Sequence, residues 1–465
     1  MELKVTEICK ATQGQLLTGT LEGSIIDVSI DSRKVTDGNL FIPLEGTQHD
    51  GHAFIEDAFK HGANASLAQK GNSILSKLKR THQDKILIEV DDPLKSLGDI
   101  AYYWRRKFAT EVVAITGSNG KTTTKEIAWN IIKRKLCSIK NQGNWNNLIG
   151  LPLSLFQLDG SQQAAILEMG MSGTGEIRRL SEISKPQIGL ITNIGPSHLE
   201  QLETLEEVKA VKGELFEYFG SKDTAIVNND DFRVASLAKS TRANILSFGI
   251  KKGDVQALSI RSYNCYGAAF DLIVMGEKRA VQLKLLGEQF ISNALAAASI
   301  ACALGIGIED IKKGLESFTG VPGRMETIDL PGVTVINDSY NANPVSMHAS
   351  LATLSSITSS NRKIAVLGDM LELGRKSQKF HTELGETVAH LHVDYLFLIG
   401  DFSSYVREGA VSAGMNSNNI ILCKDIKTLT DKLKEKMDDG DSILLKGSRK
   451  MRMEKVIELL QQDEG

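Results

Sequence analysis

The chain has 465 residues, of which 42% are hydrophobic and 24% charged, and its formal net charge is −3. This length exceeds one usual core, so we expect two to four domains of a soluble globular protein. The nearly balanced charge argues against broad electrostatic binding to nucleic acid, so an anionic ligand would have to meet local basic groups.

Targeting and membrane signals are not evident in the sequence. Residues 1–4 lack the apolar core of a signal peptide, and the longest apolar stretch, 294–308, is shorter than a membrane span. The five cysteines are scattered without a CxxC pair, which favours a reduced protein without a disulfide or a zinc site. We therefore expect a cytoplasmic protein.

In chain order the patterns divide the sequence into three blocks, residues 1–84, 85–319 and 320–465. The first has short strands at 25–30 and 40–44, and the other two alternate strand and helix patterns. Such alternation predicts mainly parallel, doubly wound sheets. We therefore expect an α/β fold with three domains: a small α/β N-terminal domain, a central domain with a doubly wound, mainly parallel sheet, and a C-terminal Rossmann-like domain that begins near Gly320.

The most informative segment is EVVAITGSNGKTTTK at residues 111–125. An apolar strand leads into a glycine-rich turn, and a helix pattern follows. Backbone N–H groups in such a loop can converge on an anion, Lys121 would reach the β- and γ-phosphates, and Thr122 would ligate Mg²⁺. Ile115 stands where a full Walker motif has glycine, and a simple surface turn is the alternative. The segment predicts ATP binding by Gly117, Ser118, Asn119, Gly120, Lys121, Thr122 and Thr123.

Several polar residues stand where strands of the second block end or on the helices that follow. Glu168 ends the strand 164–168, where a carboxylate would suit Mg²⁺, although a salt-bridged glutamate fits as well. His198 follows a second strand, and a structural histidine is an equal alternative. Lys212 lies in a helical stretch, and its pattern alone favours a solvated surface lysine.

The third and first blocks carry similar strand-end clusters. Arg324 follows Gly323, and three clusters around Asp338–Asn343, Asp369 and Lys446 would meet at one sheet edge. Asx and Pro residues there also form ordinary turns. In the first block the segments with Ser32 and Arg33, and with Thr47, follow strands, and turns are again the simpler interpretation.

Taken together, these motifs resemble those of the Mur ligase family, in family order and over nearly the whole chain. The matching segments are TGSNGKTTT (116–124), GNWNNLIGLPLSLF (143–156), LEMGMSGTGEI (167–177), TNIGPSHLE (192–200), KGELF (212–216), LGEQFISNALAA (286–297), PGRME (322–326), NDSYNANP (337–344), LGDMLELG (367–374) and LLKGSRKMRME (444–454). Four of them, GNWNN, NDSYNANP, GDMLELG and KGSRKMRME, resemble the branch that adds D-alanyl-D-alanine to UDP-N-acetylmuramoyl-tripeptide.

The resemblance implies an ATP-dependent amide ligase of peptidoglycan precursor synthesis. The first domain would bind the UDP end of the peptide substrate, the central domain the ATP phosphates, and the third domain the incoming dipeptide and part of ATP. ATP would phosphorylate the terminal carboxylate of the peptide, and the dipeptide amine would attack the acyl phosphate.

The resemblance also implies roles for single residues. Catalytic roles fall on Lys121, His198 and Lys212, and two Mg²⁺ ions would be held by Thr122 and Glu168 and by His198 and a carbamylated Lys212. ATP contacts extend to Asn293 (adenine), Arg324 (phosphate) and Asp338 (ribose). Substrate-binding positions are Ser32, Arg33, Thr47, Asn146, Asn147, Asn341, Asp369 and Lys446.

Two alternatives stay open at this point. One is another ligase of the same kind, either similar to folylpolyglutamate synthetase or from an amino-acid-adding Mur branch, against which GDMLELG and NDSYNANP argue. The other is a phosphate-loop protein that binds nucleotide without forming amide bonds. Nothing in the sequence suggests an assembly, so we expect a monomer.

Overall fold

The computed structural model describes residues 1–46, 48–196, 200–262, 267–358 and 360–462. By its internal contacts the chain divides into two compact units, one of residues 1–114 and 136–189 and one of residues 115–135 and 190–465. Thr47 and His198, both predicted site residues, lie outside the described residues.

The N-terminal segment forms a five-stranded sheet of order β2-β7-β6-β5-β4, and a short β1-β3 pair. The strands β4 to β7 are parallel, and β2 is antiparallel to β7. The elements are β1 (Leu3–Lys4), α1 (Val5–Thr12), β2 (Gln15–Thr18), β3 (Ser24–Ile25), β4 (Asp27–Ser29), β5 (Asn39–Phe41), α2 (Ile55–Lys60), β6 (Ala65–Gln69), α3 (Leu75–Thr81), β7 (Ile86–Val90) and α4 (Pro93–Arg105).

The strand β7 belongs to this first sheet, although the predicted boundary after residue 84 placed it in the second domain. Five of its residues pair in parallel with β6, from Ala65↔Ile86 to Gln69↔Val90. The charged stretch before it, residues 77–84, lies in helix α3 and a turn. The three domain boundaries themselves stay a prediction.

The central segment forms a nine-stranded sheet of order β16-β15-β14-β13-β12-β11-β8-β10-β9. The pairs β9–β10, β12–β13 and β13–β14 are parallel, and β14–β15–β16 is an antiparallel meander. The elements are β8 (Glu111–Thr116), α5 (Lys121–Ile132), β9 (Ser138–Lys140), α6 (Gly150–Leu155), β10 (Ala164–Glu168), α7 (Glu176–Ser184), β11 (Ile188–Ile191), α8 (Leu205–Gly213), β12 (Thr224–Asn228), α9 (Phe232–Leu237), β13 (Asn244–Gly249), β14 (Val255–Ser262), β15 (Ala268–Val274), β16 (Glu277–Leu283), α10 (Glu288–Ala303) and α11 (Ile308–Glu316).

The C-terminal segment forms a six-stranded sheet of order β17-β18-β22-β19-β20-β21. It is parallel except for the edge strand β17, which runs antiparallel to β18. The elements are β17 (Glu326–Leu330), β18 (Val333–Asp338), α12 (Pro344–Ser356), β19 (Lys363–Gly368), α13 (Ser377–His390), β20 (Tyr395–Ile399), α14 (Ser403–Ser412), β21 (Ile420–Cys423), α15 (Ile426–Lys436), β22 (Asp441–Lys446) and α16 (Glu454–Gln461).

The core of this last sheet shows why its strands read as continuous apolar runs. Parallel strands are covered by helices on both faces, so successive side chains are buried whichever way they point. All six residues of β22 are buried, and one face packs Ile364, Val366, Phe397 and Ile443 into a single cluster with residues of α15 and α16.

Caps fix where two of the helices near the polar sheet edge begin. Asn343 precedes α12, its Oδ1 accepts the N–H of Ser346, and Pro344 follows at the first helical position. Thr204 and Glu207 form the capping box of α8. Among the helices that the structure describes, none is both long enough and apolar enough to span a membrane.

Candidate nucleotide-binding and catalytic site

The glycine-rich turn joins the end of β8 at Thr116 to the start of α5 at Lys121, as the sequence predicted. Gly117 and Gly120 have positive φ angles of 146° and 81°. A Cβ at Gly117 would lie 1.8 Å from Thr192 Oγ1, and one at Gly120 would lie 2.3 Å from Asn293 Oδ1. Both positions therefore require glycine for conformational and steric reasons.

The segment that follows β11 holds the turn in place. Ser118 donates its N–H to the carbonyl of Asn193 at 3.0 Å, and Asn119 donates its N–H to Asn193 Oδ1 at 2.9 Å. Thr192 Oγ1 donates to the carbonyl of Asn119 at 2.6 Å. Two backbone donors that we expected to face an anion are thus engaged within the protein, which leaves that role to other groups of the loop.

Lys121, the first residue of α5, folds its side chain back onto the turn. Its Nζ donates to the carbonyl of Gly117 at 2.7 Å, so the ammonium lies within the loop rather than out in solvent. This places a fixed positive charge where the phosphates of a nucleotide would bind.

Lys212 on α8 is 1% exposed, which corrects the expectation of a solvated lysine drawn from its pattern alone. It lies on the buried face of the helix with Val208 and Val211. Burial, and next the positive charge of Lys121, hold the pKa of Lys212 well below its usual value of 10.5. Burial and the neighbouring charge thus favour the neutral amine form of an unmodified Lys212.

Arg324 reaches the same turn from the C-terminal segment. One of its terminal nitrogens donates to Thr122 Oγ1 at 3.0 Å, and the guanidinium lies 4.1 Å above the Tyr340 ring centroid. Its Nε is buried and has no hydrogen-bond partner within the described part of the chain. Arg324 is thus held by contacts on two sides, and its buried Nε–H is left without a partner among the described residues.

Asn293 on α10 is buried beside the start of α5. Its Oδ1 accepts from Thr124 Oγ1 at 3.5 Å and faces Gly120. The adenine contact that the resemblance implies for Asn293 stays a prediction.

Asp338 and Lys446 form a buried ion pair at the carboxyl ends of two neighbouring strands of the C-terminal sheet. They end the paired strands β18 and β22 and are direct partners in the register. Asp338 also accepts from the N–H of Met325 at 3.2 Å and from Ser350 Oγ at 2.6 Å, and Lys446 Nζ donates to the carbonyl of Asn341 at 3.1 Å. The structure therefore brings together three of the predicted third-block residues.

Asp369 is also buried, but its carboxylate accepts backbone N–H groups from Asp401 at 2.7 Å and Phe402 at 3.2 Å. Burial raises the pKa of Asp369 above its ordinary value. Asp369 thus fastens the turn after β20, and its predicted substrate contact stays a prediction.

The hydrogen bonds of His381, on α13, are those of a neutral imidazole. Its Nε2 accepts the N–H of Met370 at 3.0 Å, its Nδ1 faces the carbonyl of Ser377 at 2.7 Å, and its ring stacks on Phe402 with centroids 4.6 Å apart. Burial lowers the pKa of His381 below 6.5.

Glu168 ends β10 in the other compact unit and is 3% exposed. Its Oε1 accepts from Asn146 Nδ2 at 2.8 Å, and its backbone N–H and carbonyl are both bonded to the Asn141 side chain. Asn147 instead accepts the N–H groups of Ile149 and Gly150, which start α6. Asn146 therefore orients the carboxylate that we predicted to bind Mg²⁺.

A cavity of about 850 Å³ opens in this same unit. Asp31, Lys34, Trp145 and Asn147 are among its lining residues. The predicted residues Ser32 and Arg33 form a short 3-10 turn between two of them, and hydrogen bonds from Arg33 hold the pKa of Asp31 at about 2. Asn147 and the flanks of the Ser32–Arg33 turn thus share one cavity.

Within the described residues, no group of three or more His, Cys, Asp or Glu side chains is arranged to hold a metal ion. The set that we predicted for Mg²⁺ combines Thr122, Glu168 and a modified Lys212 with His198, which lies outside these residues. The Mg²⁺ ligands therefore stay a prediction.

Comparison with known proteins covers most of the chain. Family models described as "Mur ligase family, catalytic domain", "Mur ligase middle domain" and "Mur ligase, glutamate ligase domain" match residues 24–105, 115–301 and 323–449. The UDP-N-acetylmuramoyl-tripeptide–D-alanyl-D-alanine ligase of Bacillus subtilis (strain 168) is 33% identical over 97% of both chains. The chain belongs to the Mur ligase family. This membership confirms the predicted class of enzyme, an ATP-dependent amide ligase.

Other relatives and solved structures support the same family assignment. The Escherichia coli (strain K12) enzyme of the same name is 32% identical over 96% of this chain and 97% of that one. A crystal structure of MurF from Acinetobacter baumannii superposes with a TM-score of 0.91 at 30% identity, with 99% of both chains covered. MurF from Thermotoga maritima in complex with ADP gives a TM-score of 0.83 at 29% identity over 96% and 98% of the chains. The predicted three-domain α/β fold class is thereby confirmed.

The sequence interpretation named the motifs of this site but missed several residues that build it. Thr192, Asn193, Tyr340 and Asn343 all lie in quoted segments, yet none was assigned a role. Asn343 before Pro344 is a recognisable helix cap, but its contact with the phosphate loop depends on tertiary packing.

Proposed function

We propose that this protein is an ATP-dependent ligase that joins D-alanyl-D-alanine to UDP-N-acetylmuramoyl-tripeptide in peptidoglycan precursor synthesis. The observation that carries the proposal is the phosphate loop from Gly117 to Thr122, with the Lys121 side chain folded back onto it and Arg324 against it. The names of the relatives that match nearly the full chain supply the substrates.

The loop fits a nucleotide because it holds donors that need an acceptor. Asn119 Nδ2 and Arg324 Nε are buried without a hydrogen-bond partner in the described part of the chain. A buried donor without a partner costs about 1–3 kcal/mol, which an anionic phosphate oxygen would recover. The ADP complex of the Thermotoga maritima relative supports this assignment.

The reaction proceeds in two steps. A carboxylate oxygen of the peptide attacks the terminal phosphorus of ATP, and the bond to ADP breaks. The amine nitrogen of the dipeptide then attacks the acyl carbon, loses a proton, and phosphate leaves. Lys121 and Arg324 stabilise the charge that moves between these oxygens, because fixed donors in a water-poor site need little reorganisation.

Lys212 takes part as a carbamate in this proposal. The neutral form of its amine, which burial favours, is the form that reacts with CO₂, and the anion that results would sit favourably near the charge of Lys121. The two Mg²⁺ ions assigned to Thr122, Glu168, His198 and the carbamate would neutralise phosphate charge.

The two organic substrates occupy different parts of the chain in this proposal. The cavity beside the Ser32–Arg33 turn, with Asn147 in its lining, binds the UDP-linked peptide, since its volume of about 850 Å³ is in the range of small-molecule sites. Asn146 and Thr47 serve the same substrate. Asn341, Asp369 and Lys446 contact the dipeptide in this proposal.

We also propose that the protein is a cytoplasmic monomer that does not bind nucleic acid.

One assay tests the proposal. Purified protein is incubated with ATP, Mg²⁺, D-alanyl-D-alanine and either the lysine- or the diaminopimelate-containing UDP-tripeptide, and the products are weighed by mass spectrometry. A product one dipeptide heavier, with one phosphate released per bond, supports it, and Lys121→Ala should reduce the rate at least about 100-fold. Phosphate release that needs neither substrate would favour a nucleotide switch, and product formed only when a single amino acid replaces the dipeptide would favour another branch.

A further inference from the structure

The side-chain amide of Asn119, in the turn between β8 and α5, is joined to the cap of a helix 224 residues away. Asn343 Nδ2 donates to Asn119 Oδ1 at 2.7 Å. Asn343 is also the N-cap of α12, where its Oδ1 accepts the N–H of Ser346 at 2.9 Å. Both asparagines belong to the same compact unit.

These bonds fix the direction of both amides. The backbone N–H of Ser346 can only donate, so the atom of Asn343 that faces it must be oxygen. The NH₂ group of Asn343 must then face Asn119, and the atom of Asn119 that accepts it must again be oxygen. The NH₂ group of Asn119 is left on the far side, where it is buried and has no partner among the described residues.

The hydrogen bonds of the surrounding loop show which donors of residue 119 remain for a ligand. The backbone N–H groups of Ser118 and Asn119 already donate to Asn193, so they are not available to a ligand in this arrangement. The side-chain NH₂ of Asn119 is therefore the donor that residue 119 can offer.

We propose that Asn343 is a positioning residue for the nucleotide site: its amide sets the orientation of the Asn119 amide, so that an NH₂ group and not a carbonyl oxygen faces the phosphates of bound ATP. The inference rests on the proposed binding of ATP at this loop. It makes the cap of α12 part of nucleotide recognition although α12 contributes no atom to the phosphate loop.

The decisive variant is Asn343→Asp. Aspartate is as good a helix cap as asparagine, so its carboxylate can still accept the N–H of Ser346. It cannot donate to Asn119, however, and would instead draw the NH₂ group of Asn119 toward itself and turn the carbonyl oxygen to the phosphates. Affinity for a non-hydrolysable ATP analogue with Mg²⁺, measured by calorimetry, should fall roughly 10- to 100-fold, the range for one hydrogen bond to a charged group.

A double-mutant cycle separates this effect from simple charge repulsion. In an Asn119→Ala background there is no amide to turn, so Asn343→Asp should change the affinity less than about threefold, whereas repulsion by the new charge would persist. Asp425→Asn serves as the cap control, since Asp425 caps α15 by accepting the N–H of Thr428 at 2.7 Å. It should leave the affinity unchanged.

Thermal unfolding without nucleotide should be within about 1 °C for Asn343→Asp and wild type; the cap is kept in both. If Asn343→Asp does not fold, Asn343→Ser, which keeps a capping oxygen but cannot reach Asn119, takes its place in the cycle. The inference is overturned if the loss of affinity is the same in both backgrounds or absent in both. Because binding is measured without ligation, a wild-type protein that makes no dipeptide product would refute the proposed function and leave this result standing.

Discussion

A lysine in the middle of a helix usually keeps its ammonium in water, and Lys212 does not. Its burial beside Lys121 makes the protonated form costly and lowers the pKa of the amine. The sequence pattern could not show this, because Glu206, Glu207 and Lys209 on the same helix have the composition of an exposed face. Only the resemblance to the Mur ligase family indicated a catalytic and metal-binding role for Lys212.

We expect Lys212→Ala to reduce the rate of product formation at least about 100-fold, because the proposed carbamate opposite Lys121 is lost. A short carboxylate such as acetate should restore part of the rate by occupying the space left by the side chain. Steady-state phosphate release with and without acetate measures both effects. Lys209→Ala, three residues earlier on α8, should keep near wild-type activity and show no response to acetate. An unmodified Lys212 amine in crystals of the active enzyme would contradict the carbamate.

His381 gives the C-terminal segment a defined dependence on pH. Its pKa is lowered in the folded protein, so the unfolded chain binds more protons as the pH falls below about 6.5, and the folded state loses stability. The loss amounts to about 1.4 kcal/mol for each pKa unit of the difference. Urea unfolding at pH 7.5 and 5.5 measures it.

His381→Gln should flatten this part of the pH dependence, although it weakens the packing against Phe402 at every pH. His390→Gln replaces an exposed histidine at the end of the same helix and should keep the wild-type slope. Equal slopes in wild type and His381→Gln would show that another group carries the pH dependence.

At the scale of secondary-structure elements, the site is built where parallel strands end. The turn after β8, the segment after β11, and the ends of β18 and β22 all supply polar groups, as the rule for open α/β sheets predicts. The strand and helix patterns were enough to find these ends. They could not predict which polar groups meet, since Arg324 and Thr122 are 202 residues apart and meet only through tertiary packing.

Gly120 provides a test of how tightly the turn is built. Gly120→Ala should destabilise the protein by about 2 kcal/mol or more, because alanine is strained at φ +81° and its Cβ would overlap Asn293 Oδ1. Gly276→Ala is the matched control: its φ is +90°, but no described atom lies within 4 Å of the added Cβ. It should cost only the backbone strain, about 1 kcal/mol.

Chemical denaturation measures both glycine variants, and calorimetry with ADP adds the functional readout. ADP affinity should fall for Gly120→Ala alone. Equal losses of stability and equal ADP affinities in the two variants would mean that Asn293 does not restrict the turn.

At the scale of the whole molecule, the proposed reaction requires a UDP-linked peptide, ATP and a dipeptide to meet. The sequence predicted a boundary near residues 320–323, and the backbone there has positive φ angles at Gly320 and Gly323 of 115° and 71°. Composition and periodicity identified the three α/β segments, because each strand is a compact apolar run. They did not place β7 in its sheet, since pairing partners are not encoded in a local pattern.

We expect this segment to act as a hinge, so that the radius of gyration decreases when an ATP analogue and UDP-tripeptide are both added. Small-angle scattering measures the change. Alanine at both Gly320 and Gly323 should reduce it, because alanine resists positive φ, whereas Gly305→Ala (φ +75°, with open space around the added Cβ) should not. Identical scattering profiles with and without ligands would argue against closure.

The buried pair of Asp338 and Lys446 has a consequence for inhibitors. Removing one partner of such a pair leaves an isolated charge in the interior at a cost of about 3–5 kcal/mol, a large share of the roughly 5–15 kcal/mol that keeps a typical protein folded. For a compound that binds both side chains, a resistance substitution at either position would therefore also destabilise the enzyme. Escape would require two coordinated codon changes, which arise far more rarely than one.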